Sequence, residues 1–146
     1  LWKMGFETRL FQNVFVYHKR RIDWEKFKTQ VNKFGMVRPI LNKWYPEYAK
    51  LTYFFPSVFL IGFIVSLIGL IIGWSQLFYL YLFYFLTCLI MSTIQNKSIK
   101  VGILSLLAVA IQFYGYGTGF IHSFYKIQIC NKSPKEVFPK LFFLKK

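Results

Sequence analysis

A chain of 146 residues is long enough for one ordinary domain, but this one is 55% hydrophobic and 22% aromatic. A soluble domain of that size cannot bury so much apolar surface, so composition excludes an ordinary globular protein. The formal net charge of +14 calls for an anionic partner. That partner is read as a membrane surface and not as nucleic acid, because the basic residues abut charge-free stretches and little soluble chain is left over.

Residues 1–10 read as the end of a helix, with Gly5 as its stop. Residues 8–17 are rich in β-branched and aromatic side chains, which predicts a strand. His18, Lys19, Arg20 and Arg21 follow. Residues 23–35 carry the clearest helical period before the membrane. Asp23 suits the N-cap, Glu25 suits the first turn, and Gly35 suits the end. Trp24, Phe27, Val31 and Phe34 fall on one face and lysines occupy much of the rest, so this helix is expected in the interface plane. Residues 36–50, with Pro39 and Pro46, read as a broken connector. Trp44, Tyr45, Tyr48 and Tyr53 are aromatics suited to headgroup depth.

No side chain from Leu51 to Asn96 is charged, and from Val101 to Tyr125 only His122 is titratable in the physiological range. With roughly 20 apolar residues per crossing, the first stretch fits two membrane helices and the second fits one. The expected spans are about 54–74, 76–94 and 100–122. Gly62, Ser66 and Gly69 form a small-residue stripe for close helix contact. Gly73, Trp74 and Ser75 form a very short turn, so the first two spans make an antiparallel hairpin. The glycine-rich half of the third segment, residues 114–120, reads as a closely packed helix or as a bent or re-entrant one. By the positive-inside rule residues 1–50 face the cytoplasm and Lys97 and Lys100 agree. A full third crossing then leaves the lysine-rich tail, 126–146, outside against the rule. The alternative is a third segment that does not fully cross.

Catalytic patterns are few. There is no phosphate-cradling glycine loop, no nucleophile elbow, and no close carboxylate pair beyond Asp23 and Glu25, which capping explains. Cys88 and Cys130 match no metal or disulfide spacing. His18 offers an imidazole nitrogen to a metal or is a plain interfacial histidine. His122 lies near the end of a span, where a bland role suffices, and Gln112 is expected to hydrogen-bond another helix.

The order of these pieces resembles the C-terminal portion of a bacterial group of membrane-bound family 2 glycosyltransferases. In that group a helix ends in Gly followed by an aromatic, here Gly5 and Phe6. A strand follows with Val-x-His-x-x-Arg, here Val16, His18 and Arg21. An amphipathic helix then carries Gln-x-x-x-x-Gly, here Gln30 and Gly35, ahead of a Pro-rich connector and apolar helices. Residues 111–120 are similar to the group's Gln-x-x-Gly-Tyr-Gly-x-Gly-Phe pattern.

The resemblance implies a GT-A-type enzyme that passes a sugar from a nucleotide-sugar donor to a lipid-linked or saccharide acceptor. Its nucleotide-binding half, with an Asp-x-Asp metal motif and the acidic motif supplying the base, would precede Leu1. The fragment alone would therefore be inactive and hold no catalytic residue. The implied fold is mainly α: residues 1–22 a helix–strand remnant of the catalytic domain, 23–50 an interfacial helix and connector, 51–125 the membrane region and 126–146 a basic tail. His18 would help hold a divalent cation, Mn²⁺ or Mg²⁺, and Arg21 would neutralise diphosphate charge. Gln30, Lys33 and Phe34 stand where related processive synthases carry Gln-x-x-Arg-Trp, which touches acceptor and diphosphate. Lys replaces Arg and Phe replaces Trp here, a departure that argues against processive polymerisation. A non-enzymatic membrane anchor or assembly protein is the second class that the composition fits. Transporters are expected to place more polar groups at mid-membrane depth.

Overall fold

The computed structural model describes residues 4–17 and 23–142, and the described part is helical apart from residues 4–17 and short connections. Four long helices carry the architecture: α1 (Trp24–Trp44), α2 (Phe55–Ile71), α3 (Gln76–Asn96) and α4 (Ile99–Phe124). A π-helical turn, Tyr125–Ile129, extends α4, and the tail adds a short α5 (Pro134–Val137) and a 3-10 turn (Pro139–Leu141).

α1 begins as its sequence dictates. The Asp23 carboxylate accepts from the Glu25 N–H at 2.8 Å and the Lys26 N–H at 3.5 Å. The Glu25 amide, then the Lys26 amide, hold that carboxyl below its usual range. The helix then continues past Gly35 and Pro39 to Trp44, so the expected stop is not there and the broken connector is confined to residues 45–50. Proline in a helix interior costs about 3 kcal/mol because it cannot donate to the preceding turn. Tertiary packing outweighs that cost here: Pro39 is fully buried, and Gln128 Nε2 donates to its carbonyl at 3.1 Å. Pro46 instead opens a separate 3-10 turn, Pro46–Tyr48.

Among the described residues there is no strand, and residues 6–17 form an exposed irregular segment. The strand expected over 8–17 therefore has no counterpart. Strand propensity reflects a fit to a pleated, half-buried surface, and these residues have no neighbouring strand to pair with. Gly5 does adopt the left-handed φ of 80° that a helix stop uses.

α2 and α3 form the expected antiparallel hairpin, joined by Ile72–Ser75 with Gly73 at φ 87°. The small-residue stripe lies on the packed side of α2. Ser66 is fully buried, Gly69 faces the Trp74 carbonyl, and Gly62 faces the Tyr81 hydroxyl. That hydroxyl donates to the Phe59 carbonyl at 2.9 Å. α3 buries none of its residues, although Leu80, Phe83, Met91 and Ile94 are apolar and more than 60% exposed. A helix that is apolar all round and unburied in its own chain requires a nonpolar surrounding, which a bilayer supplies.

Among the described residues two helices are long and apolar enough to cross a membrane: α3, with 21 residues, and α4 with its π turn, 31 residues in all. α2 is more apolar than either but has 17 residues. The third apolar segment is a continuous helix whose glycine-rich half is closely packed, not broken.

α4 passes across one end of the hairpin. Its start meets the last turns of α3, where Gly102 leaves room for the Leu89 carbonyl and the Thr93 side chain. Its middle meets both arms, with Phe113 stacked on Phe59 at 3.8 Å and edge-on to Tyr84 at 6.2 Å. Its later turns meet the beginning of α2, where Phe54 edges onto Phe120 and Phe124 at 4.9 and 5.8 Å. The last turns of α3 and the first turn of α2 are the same end of the hairpin. Both ends of α4 therefore lie there.

The most extensive helix pair is α1 with α4. Val31 sits against Gly115, Asn32 against Gly119, and Gly35 against Tyr116 and Phe120. The partners advance together, so the helices run side by side in one direction. The backbones touch: a Cβ on Gly35 would meet the Tyr116 carbonyl and lie 2.9 Å from the Phe120 nitrogen. Beyond this contact the tail folds back on α1. Ile40, Ile127 and Phe138 form a small core with Met36, Val137, Leu141 and Phe142 packed on it. Lys43 Nζ donates to the Ile127 carbonyl of the π turn at 3.0 Å and to the Asn131 side chain.

Ser123 Oγ is buried and makes no hydrogen bond among the described residues. An unpaired buried hydroxyl costs roughly 1–3 kcal/mol. Ser123→Ala is therefore expected to leave the thermal unfolding midpoint in detergent unchanged or to raise it. A clear drop would show that the hydroxyl has a partner in the folded protein.

Candidate functional site: a basic groove above an aromatic crevice

Three remote pieces of chain enclose a groove of about 850 Å³: the N-terminal half of α1, the Tyr114–Thr118 turn of α4, and tail residues 137–141. Lys28, Lys33 and Lys140 line it, with Glu25 as the one acid, so its walls carry a net charge of +2. Thr29, Asn32 and Thr118 supply neutral polar groups. Asn32 is itself fixed, since its Nδ2 donates to the Gly115 carbonyl at 2.9 Å and to Thr118 Oγ1 at 3.3 Å. Lys28 and Lys33 lie five residues apart on α1 and are both exposed, so their charges remain available to a ligand.

A second, apolar crevice of about 380 Å³ lies beside it, lined by Phe59, Leu60, Phe63, Phe85, Ala110, Ile111 and Phe113. Lys28 and Tyr114 border both spaces. The Lys28 ammonium sits 5.3 Å from the centre of the Tyr114 ring, a cation–π distance. At the other end of α1, the Arg38 guanidinium stacks 4.0 Å above Tyr53, joining the helix to the chain that enters α2.

The sequence-derived candidates divide. Lys33 lines the basic groove. Gln30 is half-buried on α1 and Phe34 is 57% exposed, and neither lines the groove. Phe34 also lies off the buried face, which runs Val31, Gly35 and Pro39 instead. His18 and Arg21 lie outside the described residues. His122 is exposed and meets the Phe138 ring edge-on at 5.6 Å. Gln112 is exposed, and among the described residues it makes no hydrogen bond to another helix, contrary to expectation. Cys88 and Cys130 are free thiols. Among the described residues no three His, Cys, Asp or Glu side chains come together, so this part of the chain has no donor set for a divalent cation.

Lys28 and Lys140 were not singled out by sequence. Lys28 looks like one of several solvated lysines on α1. Only the return of the tail makes it a wall of a groove, and no local pattern encodes that return.

The chain matches no family model, no curated protein and no solved structure.

Proposed function

We propose that this chain is the C-terminal membrane-anchoring region of a family 2 glycosyltransferase, transferring a sugar from a nucleotide-sugar to a lipid-linked or saccharide acceptor at the bacterial cytoplasmic membrane. The observation that carries the reading is the exposed irregular segment, residues 6–17, that precedes α1. Leu10, Phe11, Val14, Phe15, Val16 and Tyr17 are each 66% exposed or more, which is untenable for apolar side chains facing water. A sheet of a preceding catalytic domain would cover them, and the order of motifs around them resembles that enzyme group.

In this reading α2 and α3 cross the bilayer and α4 does not. Length alone favours α3 and α4, but position favours α2 and α3, since both ends of α4 lie at one end of the hairpin. A helix of 17 residues is about 25 Å long, short of the ~30 Å hydrocarbon core but within the range that flanking aromatics and local thinning accommodate. α1, α4 and the tail then share the cytoplasmic side. The lysines of α1, Lys97, Lys100 and the tail all obey the positive-inside rule, and the conflict posed by a third crossing disappears.

In this reading Lys33, in the wall of the groove, meets the anionic substrate at the membrane surface. A departing nucleoside diphosphate is stabilised by fixed positive charge, which Lys33 offers as a point charge. The divalent cation, Mn²⁺ or Mg²⁺, supplies Lewis-acid stabilisation when bound and would be held by upstream acids with His18.

The test uses the full gene product. The reading expects an Asp-x-Asp and a Glu-Asp motif upstream, and transfer of labelled sugar from a nucleotide-sugar by membranes containing the protein. Loss of a charge-assisted contact costs about 1.5–3 kcal/mol, so Lys33→Ala should slow transfer roughly tenfold or more. Absence of both upstream motifs together with no transfer from any donor would sink the reading.

A further inference from the structure

We infer that Arg38 and Tyr53 clamp the phosphate of an anionic bilayer phospholipid where the chain enters α2. The starting observation is a cation set on an apolar stripe. Arg38 lies on α1 between Phe34 and Leu41, four residues after one and three before the other, so the three are neighbours on the helix surface. Phe27 continues the stripe, and Arg38 is its one charge. At about 100° per residue, Arg38 is turned roughly 160° from Met36, which lines the groove, so it faces away from the groove.

The guanidinium is half-buried and lies 4.0 Å from the centre of the Tyr53 ring. Stacking engages its flat face and leaves its N–H edges free. Among the described residues those edges have neither a hydrogen bond nor an ion pair. Unmet donors on an apolar stripe are costly, and the planar fork of a guanidinium matches a phosphate. Tyr53 ends the 3-10 turn Leu51–Tyr53, and α2 starts two residues later. This is headgroup depth, where the phosphodiester of a lipid is the anion at hand. A zwitterionic headgroup carries its own cation, which the Arg38 charge repels, so an anionic one is favoured. Leu51, Phe55 and Val58 are each 57% exposed or more and offer apolar surface to acyl chains, which free phosphate would not use. The inference needs only that α2 enters the bilayer at Phe55. It holds for either number of crossings and does not depend on sugar transfer.

The experiment is lipid binding to the full chain in detergent, read by native mass spectrometry without any nucleotide-sugar. Phosphatidylglycerol should bind roughly tenfold more tightly than phosphatidylcholine with the same acyl chains, as expected for a charge-assisted contact. Arg38→Gln should bring phosphatidylglycerol down to the phosphatidylcholine level. Arg38→Lys keeps the charge without the fork and should fall between the two. Tyr53→Leu removes the stacking platform and should weaken phosphatidylglycerol severalfold. Lys132→Ala, on the exposed tail, should change nothing. Thermal unfolding reports whether each variant is folded, and the comparison of the two lipids on the unaltered chain stands without any variant. Equal binding of the two lipids, or no effect of Arg38→Gln in a folded protein, would overturn the clamp. So would an equal loss in Lys132→Ala, which would show diffuse attraction to the whole basic surface. Displacement of phosphatidylglycerol by millimolar inorganic phosphate would show a site for the free anion and overturn the lipid assignment. Loss of the lipid preference with transfer intact would refute the clamp and spare the enzyme reading. A retained preference without any transfer would do the reverse.

Discussion

Gly35→Val is expected to pry α1 from α4 and to be strongly destabilising. Two opposing effects must be weighed. In an exposed helix, replacing glycine with a better helix former gains up to about 1 kcal/mol. At Gly35 the added Cβ meets backbone, the Tyr116 carbonyl and the Phe120 nitrogen, neither of which can rotate away. Overpacking in a tight interior costs about 1–3 kcal/mol and sometimes more, and here one helix must slide off another, so the penalty wins. Asn32, one turn earlier, loses its bonds to α4 with the same movement. The measurement is thermal unfolding in detergent, followed by tryptophan emission, with Gly62→Ala as the contrast. A Cβ at Gly62 meets only the Tyr81 hydroxyl, the far end of a side chain that can swing aside. That variant should cost about one hydrogen bond, roughly 1 kcal/mol. Equal midpoints for the two variants would show that α1 and α4 do not touch through their backbones.

A cysteine at position 50, just before α2, and the native Cys130 of the tail should react with a membrane-impermeant maleimide from the same face of the membrane. A cysteine at position 75, in the hairpin turn, should react only from the opposite face. Cys88 lies within α3 and is replaced by serine in all three proteins. The expected contrast is near complete, because a charged reagent does not cross the hydrocarbon core. The prediction follows from contacts on both sides of the hairpin mouth: Phe54 against Phe120 and Phe124, and the tail packed on α1 through Ile40, Ile127 and Phe138. Reaction of Cys130 from the same face as position 75 would show that α4 crosses completely and that the two-crossing placement fails.

How much of this was legible in the sequence depended on whether the deciding forces were local. The N-cap at Asp23 and the hairpin turn at Gly73 were readable because each is settled by neighbours a few residues away, and the small-residue stripe on α2 was readable because its spacing follows the helical period. Gly35 and Pro39 were misread as breakers. Their local penalties are real, but contact with α4 and Gln128, some 80 to 90 residues along the chain, overrides them. The strand expected over 8–17 was a reading of composition alone, and composition does not supply the pairing strand. Lys33 was found by resemblance. Lys28 and Lys140 were not, because a groove formed by two distant segments has no signature in either one.

The clasp between α1 and the tail also sets an order of events at synthesis. α1 leaves the ribosome first, yet the groups that cover Pro39 and engage Lys43 come from Ile127, Gln128 and Asn131, near the end of the chain. Through most of elongation α1 must therefore wait with its Val31, Gly35 and Pro39 face bare, until α4 and the tail are made. Contacts so distant in sequence form late and slowly. The assembled groove is consequently a product of chain completion: a nascent chain that stalls before the π turn lacks the tail wall of the groove.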